Sequence, residues 1–204
     1  SLISANYSVS MIYVESTNEN LICNKKIKLY SLNIPKKGFC KYWAFHLGVK
    51  KILKQSAHNI IVACDLFSLA AISAFKKESQ LIYDCREIYT ELAAHYNKPF
   101  LKNILYWYEK YFLKYVNTIL TTAESDEKLL QKKYHNISHL NWKIIYNYPA
   151  SQFINKSLNL KQKLNISEEY ITIIYQGVIH RGRGVGQLIS VTKNNQNIIS
   201  IIVG

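Results

Sequence analysis

Four glycines and two arginines crowd into the eleven residues Gln176-Gly177-Val178-Ile179-His180-Arg181-Gly182-Arg183-Gly184-Val185-Gly186. An apolar, β-branched run of strand length, Ile171 to Tyr175, precedes them. A helical pattern follows, with Val185, Leu188, Ile189 and Thr192 on one face. Strand, glycine turn and helix start together make a place for anions. The first amides of a helix have no internal partner, and its dipole favours negative charge there. Arg181 and Arg183 add planar cations that suit phosphate, and the simplest ligand for such a turn is a diphosphate. The spacing departs from two other phosphate-binding signatures. No Gly-Lys-Ser/Thr follows, as a P-loop requires, and the glycines fall as G-x-G-x-G rather than G-x-G-x-x-G. The same residue types also suit an ordinary solvated turn.

A second group of reactive side chains sits where strands should end. Tyr83-Asp84-Cys85-Arg86-Glu87 follows an apolar strand, Leu81 to Tyr83, and ligands of parallel sheets gather at the carboxyl ends of strands. Asp84, Arg86 and Glu87 therefore border a predicted substrate cleft, or Asp84 and Glu87 cap the next element. Asp65, after the strand Ile60 to Cys64, more simply caps the helix it begins. Glu124-Ser125 follows the strand Thr118 to Thr122, and Ser125 reads as a helix cap with acidic neighbours at 126 and 127. Asn147 follows the strand Lys143 to Tyr146 and suits a turn or a cleft wall. The six histidines are scattered; His180 is placed to meet a phosphate and His95 to reach an acceptor, and each alone reads as incidental. The two carboxylates Asp84 and Glu87, without a third ligand, do not make a metal site, and no metal is expected.

The elements that must hold these residues alternate. Strands are predicted at Val9–Val14, Lys26–Leu32 and the four positions just named, with helices over Phe39–Gln55, Asp65–Lys77 and Phe100–Val116, and a helix-tail remnant at Ser1–Ala5. Alternation of this kind indicates βαβ units and a parallel sheet. The fold class is therefore α/β: a Rossmann-like parallel-sheet domain over residues 1–149, and over 150–204 the beginning of a second, which stops after two strands, Ile171–Tyr175 and Ile199–Gly204. A sheet of two strands does not bury its faces, and the chain opens at Ser1 rather than Met, so the expectation is a stretch of a longer protein. In the Phe100–Val116 helix, Ile104, Leu105, Tyr108, Tyr111, Phe112 and Tyr115 are predicted to face inward, with Trp107, Lys110 and Lys114 outward. Aromatic and basic residues together also suit an anionic membrane surface.

Composition narrows the partners. Lys and Arg number 26 against 13 Asp and Glu, a net charge of +13. Such a chain seeks polyanions, but the lysines are spread along its length, so no nucleic acid is expected. A bias toward Lys, Asn and Ile in coding explains the charge equally well. Cys23, Cys40, Cys64 and Cys85 form no C-x-x-C pair and no zinc spacing with histidine. Cys64, closing an apolar run, reads as core, and a reducing compartment is predicted. No apolar run reaches the roughly 18–20 residues that span a bilayer, and no signal peptide is visible.

Several of these motifs resemble one family. Gln176-Gly177 after a strand, then Arg183-Gly184, Leu188-Ile189 and a second strand ending in Val203-Gly204 resemble the opening of the C-terminal domain of GT-B glycosyltransferases. The most similar group is the retaining family 4 enzymes of bacterial polysaccharide and lipid-linked sugar assembly. Tyr83-Asp84-Cys85-Arg86-Glu87 resembles that family's Tyr-Asp-x-His-Glu stretch, with Arg86 where histidine is usual. The resemblance runs roughly from Val9 to Gly204. It implies that Gly177, Arg183 and Gly184, with Arg181 beside them, face the diphosphate of a UDP- or GDP-sugar substrate. It also implies that Asp84, Arg86, Glu87, Glu124 and Asn147 line the acceptor side, and that the acceptor is lipid-linked or a saccharide. No cofactor or essential metal is implied. The cysteines point to a cytoplasmic protein, and the charge, Trp107 and the expected lipid-linked acceptor place it at the periphery of the inner face of the plasma membrane. The family's pair of glutamates that holds the donor's ribose and sugar falls beyond Gly204, so these 204 residues alone are expected to be a poor catalyst. The alternative is a non-catalytic Rossmann-like module that binds a nucleotide or an anionic surface.

Overall fold

A computed structural model of the chain describes residues 2–14, 26–35, 38, 40–95, 97–148, 159–180 and 182–204. Arg181, Cys23 and the junction between 149 and 150 lie outside the described residues. The chain divides into two compact units, Ser1–Asn147 and Tyr148–Gly204.

The first unit is a Rossmann-like α/β assembly. It opens with a parallel pair, β1 (Val9–Val14) and β2 (Ile27–Leu32), followed by helix α1 (Cys40–Leu53). Gly48 sits in mid-helix because β2 comes close: a Cβ there would lie 2.7 Å from Leu32 Cδ2. Next come β3 (Ile60–Ala63), α2 (Ser68–Ile72, running on as a 3₁₀ turn to Phe75), β4 (Gln80–Asp84), α3 (Pro99–Leu113), β5 (Thr118–Thr121), α4 (Glu124–Lys133) and β6 (Asn141–Ile144). Strands β3 to β6 form one four-stranded sheet in the order β3-β4-β5-β6, every pair parallel. The period-2 alternation of strands explains its core: Ile61, Ala63, Leu81, Tyr83, Ile119 and Thr121 are buried, while their neighbours in sequence are not.

Helix α3 begins with Pro99 in its first turn, where a missing N–H costs nothing. Its buried residues are Leu105, Glu109 and Leu113, spaced four apart on one stripe. Full burial of each leucine contributes about 1.5–3 kcal/mol. The expected inner face holds at Leu105, Tyr108, Phe112 and Tyr115, which lie in or against the core, and is corrected at Ile104 and Tyr111, which are exposed; a glutamate occupies the centre of the buried stripe. In α4 the first turn holds Glu124, Asp126 and Glu127 and the last holds Lys132 and Lys133, matching the helix dipole at both ends. Ser125 is not the cap; Ala123 holds that position, with no side-chain cap bond.

Other boundaries also move. β6 starts at Asn141, two residues before the expected strand, because the polar Asn141 and Lys143 alternate outward with half-buried Trp142 and Ile144. The segment after Asp65 is helical only over Ser68–Phe75. Residues 2–6 form turns rather than a helix end. Cys64 is exposed, not core. Among the described residues no helix is long and apolar enough to cross a membrane.

The second unit holds a short helix α5 (Leu160–Lys163), then β7 (Ile171–Gln176), α6 (Val185–Asn194) and β8 (Ile198–Val203). β7 and β8 pair in parallel along their full length, a βαβ unit. None of its described residues is fully buried.

Candidate functional site

Because β3 to β6 are parallel and adjacent, the residues that follow them line one edge of the sheet in the order Asp65, Asp84, Glu124, Asn147. Each was named from sequence, and the topology of the first unit brings them together. Phe67, not Asp65, holds the N-cap position of α2, but Asp65 ties down the helix start from two residues further back: its Oδ1 accepts from the Ser68 amide at 2.7 Å and from the Ser68 hydroxyl at 2.6 Å.

After β4 the chain folds into a tight polar turn. Arg86 Nε donates to Asp84 Oδ2 at 2.8 Å, and the Arg86 amide donates to the Asp84 carbonyl at 3.2 Å. The Cys85 thiol donates to the Glu87 carbonyl at 3.6 Å. The Asp84–Arg86 pair is open to solvent on the arginine side, so it contributes only about 0–1 kcal/mol. A ligand that offers either partner a better contact can open it at little cost. Glu87 is exposed. After β5 and β6, Tyr146 Oη donates to Glu124 Oε1 at 3.1 Å and joins two members of the edge, with Asn147 exposed beside it.

Below this turn lies a polar cluster that the sequence reading missed. Glu109 is fully buried; it accepts from Tyr83 Oη on Oε1 at 3.0 Å and from Tyr134 Oη on Oε2. Lys133 Nζ donates to Thr90 Oγ1 and lies over the Tyr134 ring, 5.4 Å from its centre. Burial pushes the Glu109 carboxyl up, against the opposing pull of the Tyr134 hydrogen bond, the Lys133 charge and the Tyr83 hydrogen bond. Burial, then the charge of Glu109, pushes the Cys85 thiol up to about 12. Tyr83 directly precedes Asp84, so this cluster fixes the strand end from which the polar turn departs. Thr121, at the end of β5, is buried with its hydroxyl unpaired among the described residues.

The glycine turn belongs to the second unit. Gly184 is the N-cap of α6 with φ +77°, a left-handed conformation in which a side chain would be strained. It offers no side chain to the helix start. The first helical bond runs from the Leu188 amide to the Gly184 carbonyl at 3.0 Å. The amides of Val185, Gly186 and Gln187 therefore precede the helix's own bonding pattern. Arg183, directly before the cap, is exposed, and among the described residues no carboxylate pairs with it. Gly177 donates its amide to the Val203 carbonyl at 2.9 Å, at the end of the β7–β8 ladder. Gly204 lets the turn fold over that ladder, since a Cβ there would lie 2.8 Å from Ile179 Cγ1 and 3.2 Å from the Gly177 carbonyl. The arrangement can hold an anion of phosphate type through amides and one guanidinium.

Three histidines, His95, His135 and His139, are tied to backbone carbonyls. His95 Nδ1 lies 2.7 Å from the Tyr89 carbonyl oxygen and His139 Nε2 3.1 Å from that of Val116. Among the described residues no group of three His, Cys, Asp or Glu side chains is placed to hold a metal ion. No protein-family model matches the chain. No curated protein matches it either.

Proposed function

We propose that the protein is a GT-B-type glycosyltransferase that moves a sugar from a UDP- or GDP-sugar to a lipid-linked or saccharide acceptor in cell-envelope polysaccharide assembly, with retention at the anomeric carbon. The observation that carries this reading is the β7–turn–α6 arrangement, where the first amides of α6, which precede the helix's own bonding pattern, and exposed Arg183 flank a left-handed glycine cap. In sugar transfer the bond between the anomeric carbon and the diphosphate oxygen breaks while a bond to the acceptor oxygen forms. Charge develops on the departing diphosphate, and groups fixed in advance stabilise it best. The amides of Val185, Gly186 and Gln187 and the Arg183 guanidinium would take that charge, with Arg181 assisting. Asp84, Arg86 and Glu87 would meet the acceptor hydroxyl, and Glu124 and Asn147 would border the cleft.

Thermal-shift titration of the protein with a panel of UDP- and GDP-sugars, repeated with Arg183→Ala, tests this. Ligand at a hundred times its Kd stabilises by about 2.7 kcal/mol. The expected result is a rise in melting temperature with one nucleotide class that disappears in the variant. No shift with any sugar nucleotide would sink the transferase reading and leave a nucleotide-independent binding module.

A further inference from the structure

The outward face of α3 carries an apolar stripe. Phe100, Ile104, Trp107 and Tyr111 are 78%, 48%, 63% and 52% exposed, and their spacing of four, three and four residues puts them on one line about 16 Å long. Isolated exposed apolar residues are ordinary, but an unbroken line of them on one helix is not.

Charge follows the same line. Lys114 and Lys110 fall roughly 40° and 80° to one side of the stripe at 3.6 residues per turn. Aromatic rings hold both in place: Lys110 Nζ lies 5.1 Å from the centre of the Trp107 ring and Lys114 Nζ 5.7 Å from that of Tyr111. Lys76 joins them, donating to the Lys114 carbonyl at 3.2 Å and lying 5.4 Å from the Tyr115 ring centre. With Ser138 and His139 these lysines line an open hollow of about 400 Å³, and no carboxylate is among its lining residues. The one acidic residue of α3, Glu109, is fully buried on the opposite side. An apolar line containing Trp and Tyr, bordered by lysines and stripped of negative charge, matches the interface of a bilayer with anionic headgroups.

We propose that α3 is a membrane-docking helix, with Phe100, Ile104, Trp107 and Tyr111 entering the headgroup layer of an anionic phospholipid bilayer and Lys76, Lys110 and Lys114 receiving lipid phosphates in the adjoining hollow. The proposal is independent of the transferase reading, since it rests on a surface remote in sequence from the glycine turn.

Co-sedimentation with vesicles tests it, using phosphatidylcholine alone and a phosphatidylcholine–phosphatidylglycerol mixture, with tryptophan fluorescence recorded on the same samples. Binding to the mixed vesicles only is expected, together with a blue shift of emission. Lys110→Gln/Lys114→Gln should weaken binding about 25-fold, near fivefold per lysine. Lys50→Gln/Lys51→Gln, at the end of α1, controls for net charge and should leave the Trp107 blue shift intact. Trp107→Phe should remove the blue shift while binding stays within about twofold, because an aromatic ring remains in the interface. Trp107, Lys114 and Lys51 are exposed and Lys110 and Lys50 half-buried, none of them in the core, so unchanged melting temperatures confirm folding. The proposal is overturned by any of four results: no binding to mixed vesicles, equal binding to phosphatidylcholine alone, equal loss in the α1 control, or a blue shift that persists in Trp107→Phe. Persistence would place Trp43 on α1, itself 72% exposed, at the membrane instead.

Discussion

Tyr83 on β4 and Glu109 on α3, twenty-six residues apart, share a 3.0 Å hydrogen bond inside the core of the first unit, with Tyr134 on the other carboxylate oxygen. A carboxylate can accept from both hydroxyls at once; an amide has only one oxygen to offer. Glu109→Gln should therefore cost about 1–3 kcal/mol, the penalty of one buried hydroxyl without an acceptor. Glu109→Ala should cost more, since it also opens a cavity. Urea unfolding of both variants checks the order.

The same carboxyl gives a signed pH dependence. Its folded pKa is raised above the ordinary 4.5, because the cost of burying the charge outweighs the return from the Tyr134 bond, the Lys133 charge and the Tyr83 bond. Its favourable contribution is present below the unfolded pKa and is lost as pH rises through the folded value. Acidification from neutral pH toward 4.5 should stabilise the protein relative to Glu109→Gln, which has no such proton. Parallel melting curves for the two proteins across that window would contradict the raised carboxyl.

Cysteine reactivity should divide by position. Cys40 and Cys64 are exposed and Cys85 is buried with its thiol pushed up to about 12. Thiolate is the reactive form. Iodoacetamide at neutral pH should modify Cys40 readily and Cys85 only after unfolding, as read by peptide mass spectrometry.

Thr121→Val should raise stability or leave it unchanged, against the usual trend for core substitutions. The hydroxyl is buried without a partner among the described residues, and an isosteric methyl removes that cost. A loss above about 1 kcal/mol would show that the hydroxyl is bonded in solution.

Arg86→Ala separates a structural from an acceptor-side role. Its exposed pairing with Asp84 predicts a stability change under about 1 kcal/mol. Under the transferase reading the KM for acceptor should rise while that for the sugar nucleotide holds. Equal rises in both would remove Arg86 from the acceptor side.

Strands β3, β4 and β5 were legible because they are short apolar runs between polar turns, and their order fixed where Asp84 and Glu124 would stand. β6 was harder, as polar Asn141 makes its start look like loop, so the strand was read only from Lys143. The inner face of α3 was read correctly at Leu105, Tyr108, Phe112 and Tyr115, which lie in or against the core, and wrongly at Ile104 and Tyr111, because aromatic residues surround that helix and counting them does not reveal which side is buried. The useful signal was Leu105, Glu109 and Leu113 at four-residue spacing, a lone acid between two leucines. Lone helix acids are usually solvated, and only the arrival of Tyr83 and Tyr134 from distant elements makes this one a core residue. The glycine turn was legible in outline, since left-handed Gly184 announces the helix start.

Strand β8, Ile-Ile-Ser-Ile-Ile-Val, carries no charge and no proline, and among the described residues pairs on one side only, with β7. An uncharged β-branched segment with an open edge is the template on which further chains add. Wherever that edge stays uncovered, these six residues work against the solubility that a net charge of +13 provides. A lysine at Ser200, which bonds Thr192 of α6, would be the wrong remedy; one at the exposed end, Val203, places a charge on the growing edge without disturbing the helix.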